Sequence, residues 1–164
     1  MPRNKYHDTP VVEFHETFGH PVSWSPTVPD AETRRLRCAL LLEEVLEFCT
    51  ASGFVVREVE VNNEVKLELF SFDGTAEAAA TSLAEAADAL ADIRYVTDGA
   101  ALVWGIPLEK CLREVHRSNM SKAGPDGKPI LRDDGKILKG PNFTPPAIAE
   151  ILALYSGISN ESKP

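Results

Sequence analysis

Residues 36–47 put three carboxylates where a helix ordinarily carries core residues. Leu36, Leu40, Glu43, Glu44 and Glu47 fall on one helical arc about 100° wide. The acids therefore continue an apolar stripe instead of opposing it, and the reading predicts that this stripe faces the protein interior. Clustered carboxylates there are costly unless positive charge sits among them. A divalent cation answers that need, and Mg²⁺ prefers all-oxygen ligands.

A second helix repeats the pattern. Glu85, Asp88, Asp92, Val96 and Val103 recur at spacings of 3, 4, 4 and 7 on one face. Ala84, Ala86, Ala87, Ala89 and Ala91 surround them, small enough for close helix approach or for a ligand. Two such faces opposed give up to six carboxylates, with Mg²⁺ or Mn²⁺ as the neutralising ion and a triphosphate completing its oxygen shell. One Glu-Glu-x-x-Glu alone is ordinarily a solvated helix face; here two acidic trios sit on apolar stripes. A ferritin-like di-iron bundle needs Glu-x-x-His on two helices, whereas Glu114 and His116 are two apart. His7, His15 and His20 read as structural or exposed.

The 164 residues suffice for one domain with a real core, and 43% are hydrophobic. No run of about 18 apolar residues predicts a membrane helix. The N-terminal stretch lacks an apolar signal core, so cytoplasm is the expected compartment. Cys38, Cys49 and Cys111 are odd in number and widely spaced, which predicts neither a disulfide framework nor a zinc site. A net charge of −8 argues against nucleic acid as a partner. From Lys122 to Lys139, however, five basic residues face three acidic ones, a basic tail on an acidic chain.

The punctuation predicts the elements. A short helix follows Asp8 or Thr9 as cap, with Pro10 in its first turn and Gly19 at its end. A Pro-rich connector covers 20–29. Asp30 caps a helix over about 31–50, with Gly53 beyond. Alternation over 54–72 around Asn62-Asn63 reads as a β-hairpin. An Ala-rich helix is predicted over about 76–103. Pro107 opens another to about Met120, and a last helix runs to about Tyr155. Ile130-Leu131 and Ile137-Leu138 form a candidate second hairpin.

The two acid trios, Glu43-Glu44-x-x-Glu47 and Glu85-x-x-Asp88, resemble the signature of the all-α nucleoside triphosphate pyrophosphohydrolases. The nearer resemblance is to small MazG-like, phosphoribosyl-ATP-pyrophosphohydrolase-like proteins. It extends over residues 87–96, Gly105-Ile106-Pro107, 114–122 and 139–146, and covers most of 10–150, with 51–75 outside it. The 37 residues between Glu47 and Glu85 exceed the family's usual gap, and a hairpin insertion accounts for the excess.

The resemblance implies a mainly α fold: one helical-bundle domain over 1–164, with the 54–72 hairpin inserted and an irregular tail, 121–164, covering the substrate. It implies cleavage between the α and β phosphates of a nucleoside triphosphate. Glu44, Glu47, Glu85 and Asp88 are the implied Mg²⁺ ligands, with Asp92 as the second candidate for the last acid beside the favoured Asp88, and Glu43 is the candidate general base. Asn119, Lys122, Lys128, Lys136 and Lys139 are candidates for phosphate or sugar contacts. Trp24, Tyr95 and Phe143 read as packing residues. The family forms homodimers or homotetramers. The competing reading is a non-catalytic helical oligomer whose acids hold metal or a basic partner.

Overall fold

The computed structural model describes residues 10–61, 64–71 and 82–156. Five helices and one hairpin run in the order α1 (Pro10–Phe18), α2 (Ala31–Ala51), β1 (Phe54–Val61), β2 (Glu64–Ser71), α3 (Leu83–Trp104), α4 (Leu108–Met120) and α5 (Ile148–Ser156). The chain is thus mainly helical with a two-stranded antiparallel sheet. No helix among the described residues is long and apolar enough to cross a membrane.

The chain forms two compact units, Met1–Val28 with Ala101–Pro164, and Pro29–Ala100. In the first, Val11, Val12 and His15 of α1 are buried, as are Ala101, Leu102 and Val103 at the end of α3 and Cys111 and Ser118 of α4. The connector after α1 is tied to the last turn of α3. Ser23 N–H donates to Leu102 O at 2.8 Å, and Thr27 N–H to Trp104 O at 3.0 Å. These bonds satisfy carbonyls that a helix C-terminus leaves unpaired. His15 ring nitrogen Nδ1 lies 2.9 Å from Pro21 O, so this buried histidine anchors the connector.

The second unit holds α2, the hairpin and most of α3. Asp30 caps α2 as expected: its Oδ1 accepts from Thr33 N–H at 2.8 Å and its Oδ2 from Thr33 Oγ–H at 2.9 Å. Gly53, at φ 82°, turns the chain out of the helix and into β1. The strands pair in register from Phe54↔Ser71 to Val61↔Glu64. The predicted tip, Asn62-Asn63, lies outside the described residues, as do the proposed α1 caps Asp8 and Thr9.

Two sequence expectations change. The Ala-rich helix begins at Leu83, where Ser82 caps it: Glu85 N–H donates to Ser82 Oγ at 3.2 Å. Residues 76–81, expected in that helix, lie outside the described residues. The second hairpin reduces to a single antiparallel bridge, Leu131↔Ile137. Gly135, at φ 82°, closes it with N–H donated to Arg132 O at 2.8 Å. Arg132 N–H to Lys136 O at 2.9 Å and Leu138 N–H to Ile130 O at 2.7 Å flank the bridge.

Candidate active site

Within the second unit, α2 and α3 bring their acids to one open cleft of about 410 Å³. Its walls include Glu43, Leu46, Glu47, Thr50 and Ala51 from α2 and Glu85, Asp88 and Ala89 from α3. A second depression runs along α3 over Ala84, Glu85, Ala87, Asp88 and Ala91. The Ala side chains leave these hollows unfilled, so carboxylates protrude into open space. Glu85 also occupies the first turn of α3, where the helix dipole favours an acid.

Glu44 shares their electrostatics. Its partial burial pushes its carboxyl up, and Glu47, Asp92, Glu43 and Asp88 push the same way. Acids from both helices thus act on one group.

The predicted burial of the stripe is corrected. Glu43, Glu47, Glu85, Asp88 and Asp92 are exposed, and only Glu44 is half-buried. Leu36, on the same face, is 49% exposed, and Leu42, Val45 and Leu46 are also open. Periodicity identifies which residues share a face; it does not identify what covers it. Solvent therefore carries much of the cost that full burial would impose on these carboxylates.

The donor set fits a hard divalent cation. Among the described residues, every titratable side chain lining the cleft is a carboxylate, the ligand type that suits Mg²⁺ and Mn²⁺, and neither histidine nor cysteine lines it. The mutual repulsion at Glu44 is what a cation would relieve. Among the described residues no three Asp, Glu, His or Cys side chains already converge as an ion cage. The fit therefore rests on the chemistry and grouping of the donors and requires their side chains to draw together.

The basic candidates belong to the other unit. Lys122 Nζ donates to Asn119 Oδ1 at 2.8 Å, so these two form a pair at the end of α4. Lys139 Nζ stands 4.6 Å from the centre of the Phe143 ring, which gives that half-buried aromatic a cation–π contact. Lys128 lies 4.0 Å from Asp126. Lys136 binds Asp134 through its backbone, N–H to Oδ1 at 3.1 Å.

Sequence reasoning missed two groups. Glu114 fails as a metal ligand by spacing yet anchors the tail, accepting from Arg117 and from Ala147 N–H at 2.8 Å. Arg37, counted only as a charge, is 7% exposed. The helical wheel carried the signal, because Arg37 lies two turns before Glu44 and nearly in line with it.

The chemistry-bearing feature of this unit is thus a carboxylate-lined cleft between α2 and α3 whose donors are of the type that suits a hard divalent cation. The chain belongs to the phosphoribosyl-ATP pyrophosphohydrolase (PRA-PH) family, whose profile matches residues 11–119 and so includes both acidic helices. It is therefore an enzyme of the pyrophosphohydrolase class. No curated relative matches the chain. Among solved structures it is similar to a protein from Exiguobacterium sp. 255-15 provisionally named an NTP pyrophosphohydrolase. That likeness has 26% identity over 98% of each chain and a TM-score of 0.43, and the family membership rests on the profile match.

Proposed function

We propose that the chain is a divalent-cation-dependent nucleoside triphosphate pyrophosphohydrolase that cleaves the α–β phosphoanhydride. The observation that carries this reading is the single cleft into which α2 brings Glu43 and Glu47 and α3 brings Glu85 and Asp88. Glu44, Glu47, Glu85 and Asp88 would hold Mg²⁺ or Mn²⁺, with Asp92 beside them. When bound, the cations supply positive charge for the phosphates and acidify the attacking water.

Glu43 lines the cleft and takes the proton of that water as general base. The water oxygen bonds to the α phosphorus in line, the bond to the α–β bridging oxygen breaks, and pyrophosphate leaves. Asn119 and Lys122 present a polar pair for phosphate or sugar, while Lys128, Lys136 and Lys139 supply charge from the tail. The exposed Leu36, Leu42, Val45 and Leu46 on α2 support a homodimer or homotetramer, since a second copy would cover apolar surface that one chain leaves open.

Product analysis tests the bond cleaved. With a panel of canonical and damaged ribo- and deoxyribonucleoside triphosphates and Mg²⁺, the expected products are the monophosphate and pyrophosphate. Diphosphate and inorganic phosphate would place the cut at the β–γ bond and reject the reading.

A further inference from the structure

Arg37 is an unusual residue for its position. It is 7% exposed in the middle of α2, and its Nε–H finds no hydrogen-bond acceptor. Arginine is almost never buried without a partner, because its guanidinium keeps its charge. Burial does pull its pKa down, which marks the charge as poorly compensated. The chain carries a net charge of −8, so carboxylates are not scarce.

Neither Glu32, five residues before it, nor Glu43, six residues after it, accepts from its Nε–H. Arg37 precedes Glu44 by seven residues, roughly 10.5 Å of helix rise, and lies about 20° from it around the axis. Helical side chains lean toward the N-terminus, so the stem of Arg37 leads away from Glu44. The groups acting on Glu44 agree: four acids and partial burial raise its carboxyl, and Arg37 is not among the causes. One face of α2 thus carries two separated charge zones, carboxylates toward its C-terminal half and a buried cation two turns earlier. Carboxylates that gather cations select one part of a polyanion. An uncompensated guanidinium with a planar donor fork selects phosphate oxygens directly.

We propose that Arg37 is a phosphate-binding residue, its Nε–H and fork receiving oxygens of the polyphosphate chain beyond those held at the acidic cluster. This deepens the reading of the cleft as a nucleotide pyrophosphohydrolase site and rests on it. The buried charge is a cost in the free protein, and a bound anion offsets that cost in the complex. Replacing an uncompensated buried charge by an apolar side chain of similar length is often stabilising. The free protein and the complex should therefore respond to such a change in opposite directions.

The test uses Arg37→Met, Arg37→Lys and inorganic tripolyphosphate with Mg²⁺. Arg37→Met is expected to raise the Tm of the free protein while weakening tripolyphosphate binding at least tenfold by calorimetry. KM for the best nucleotide should rise by a similar factor, with kcat changed less. In the wild type, the Arg37 ¹⁵Nε resonance, assigned by its loss in Arg37→Lys, should shift on adding tripolyphosphate. That measurement needs neither turnover nor a folded Met variant. A shift without any nucleotide hydrolysis would support Arg37 as the anion site while rejecting the catalytic reading. An unmoved resonance, or a dissociation constant within twofold of wild type in Arg37→Met, overturns the proposal. A variant that loses its oligomeric state with KM unchanged overturns it too, by showing that a second copy supplies the partner.

Discussion

Arg117 grips both carboxylate oxygens of Glu114, Nε–H to Oε2 at 2.8 Å and an Nη2 hydrogen to Oε1 at 2.6 Å. The same guanidinium reaches across 27 residues to Thr144 Oγ at 2.6 Å and on to Pro145 O at 3.1 Å. Glu114 accepts in addition from Ala147 N–H. This pair fastens the segment before α5 onto α4, with Ser118 Oγ–H to Thr144 O at 2.9 Å alongside.

The pair makes an acid-stability prediction. Arg117 first, then Ala147 N–H, hold the Glu114 carboxyl down at about 2, against an ordinary 4.5. A depressed carboxylate stabilises the fold above its unfolded pKa and loses that contribution as pH falls through the folded one. Between pH 4.5 and 2, therefore, the Tm advantage of wild type over Glu114→Gln should shrink toward zero. Thermal unfolding of both proteins across pH 2–7 checks this; a difference that stays constant with pH contradicts it.

Gly105 is required by backbone contact. It sits at φ 63°, and a Cβ there would lie 2.0 Å from Ser25 O. Gly105→Ala should cost at least about 2 kcal/mol in urea unfolding, from the left-handed backbone and the displaced connector together. Gly19, at φ 69° with nothing near its Cβ position, should cost less on the same substitution.

Capping gives a smaller effect. Asp30→Ala removes both bonds to Thr33 and should destabilise by about 1 kcal/mol, read from chemical denaturation. Helicity in the folded baseline should barely change.

At the cleft, stability and activity should move apart. Glu44→Gln removes a carboxylate that its neighbours disfavour, so Tm in EDTA should rise. Mg²⁺-dependent turnover should fall on the order of 10²-fold or more in Glu44→Gln, Glu85→Gln and Glu43→Gln. Differential scanning fluorimetry with and without Mg²⁺, beside a pyrophosphate assay, separates the two effects.

Much of the helical scaffold was legible because its punctuation is local. Asp30 and Gly53 bound α2, Gly19 ends α1 and Pro107 precedes α4. The meeting of the acid trios was also legible, since the same periodicity places Glu43, Glu47, Glu85 and Asp88 on faces that share a cleft. Exposure was not. Leu36 looked like a core residue because its neighbours on the wheel are apolar, yet it lies open at 49%. The burial of Arg37 was not legible either, because whether a charged helical residue is covered depends on what packs over it. The anchoring role of Glu114 was hidden likewise, because its partners at 144–147 come from a segment without regular periodicity.

The central claim is that the α2–α3 carboxylate cluster is a Mg²⁺-dependent pyrophosphohydrolase centre. Pyrophosphate release from a nucleoside triphosphate panel, measured side by side for wild type and Glu44→Gln at saturating Mg²⁺, tests it most directly. The account predicts release by the wild type from at least one nucleotide and its near loss in a variant that remains folded. No release by the wild type from any nucleotide, or undiminished release by Glu44→Gln, would contradict it.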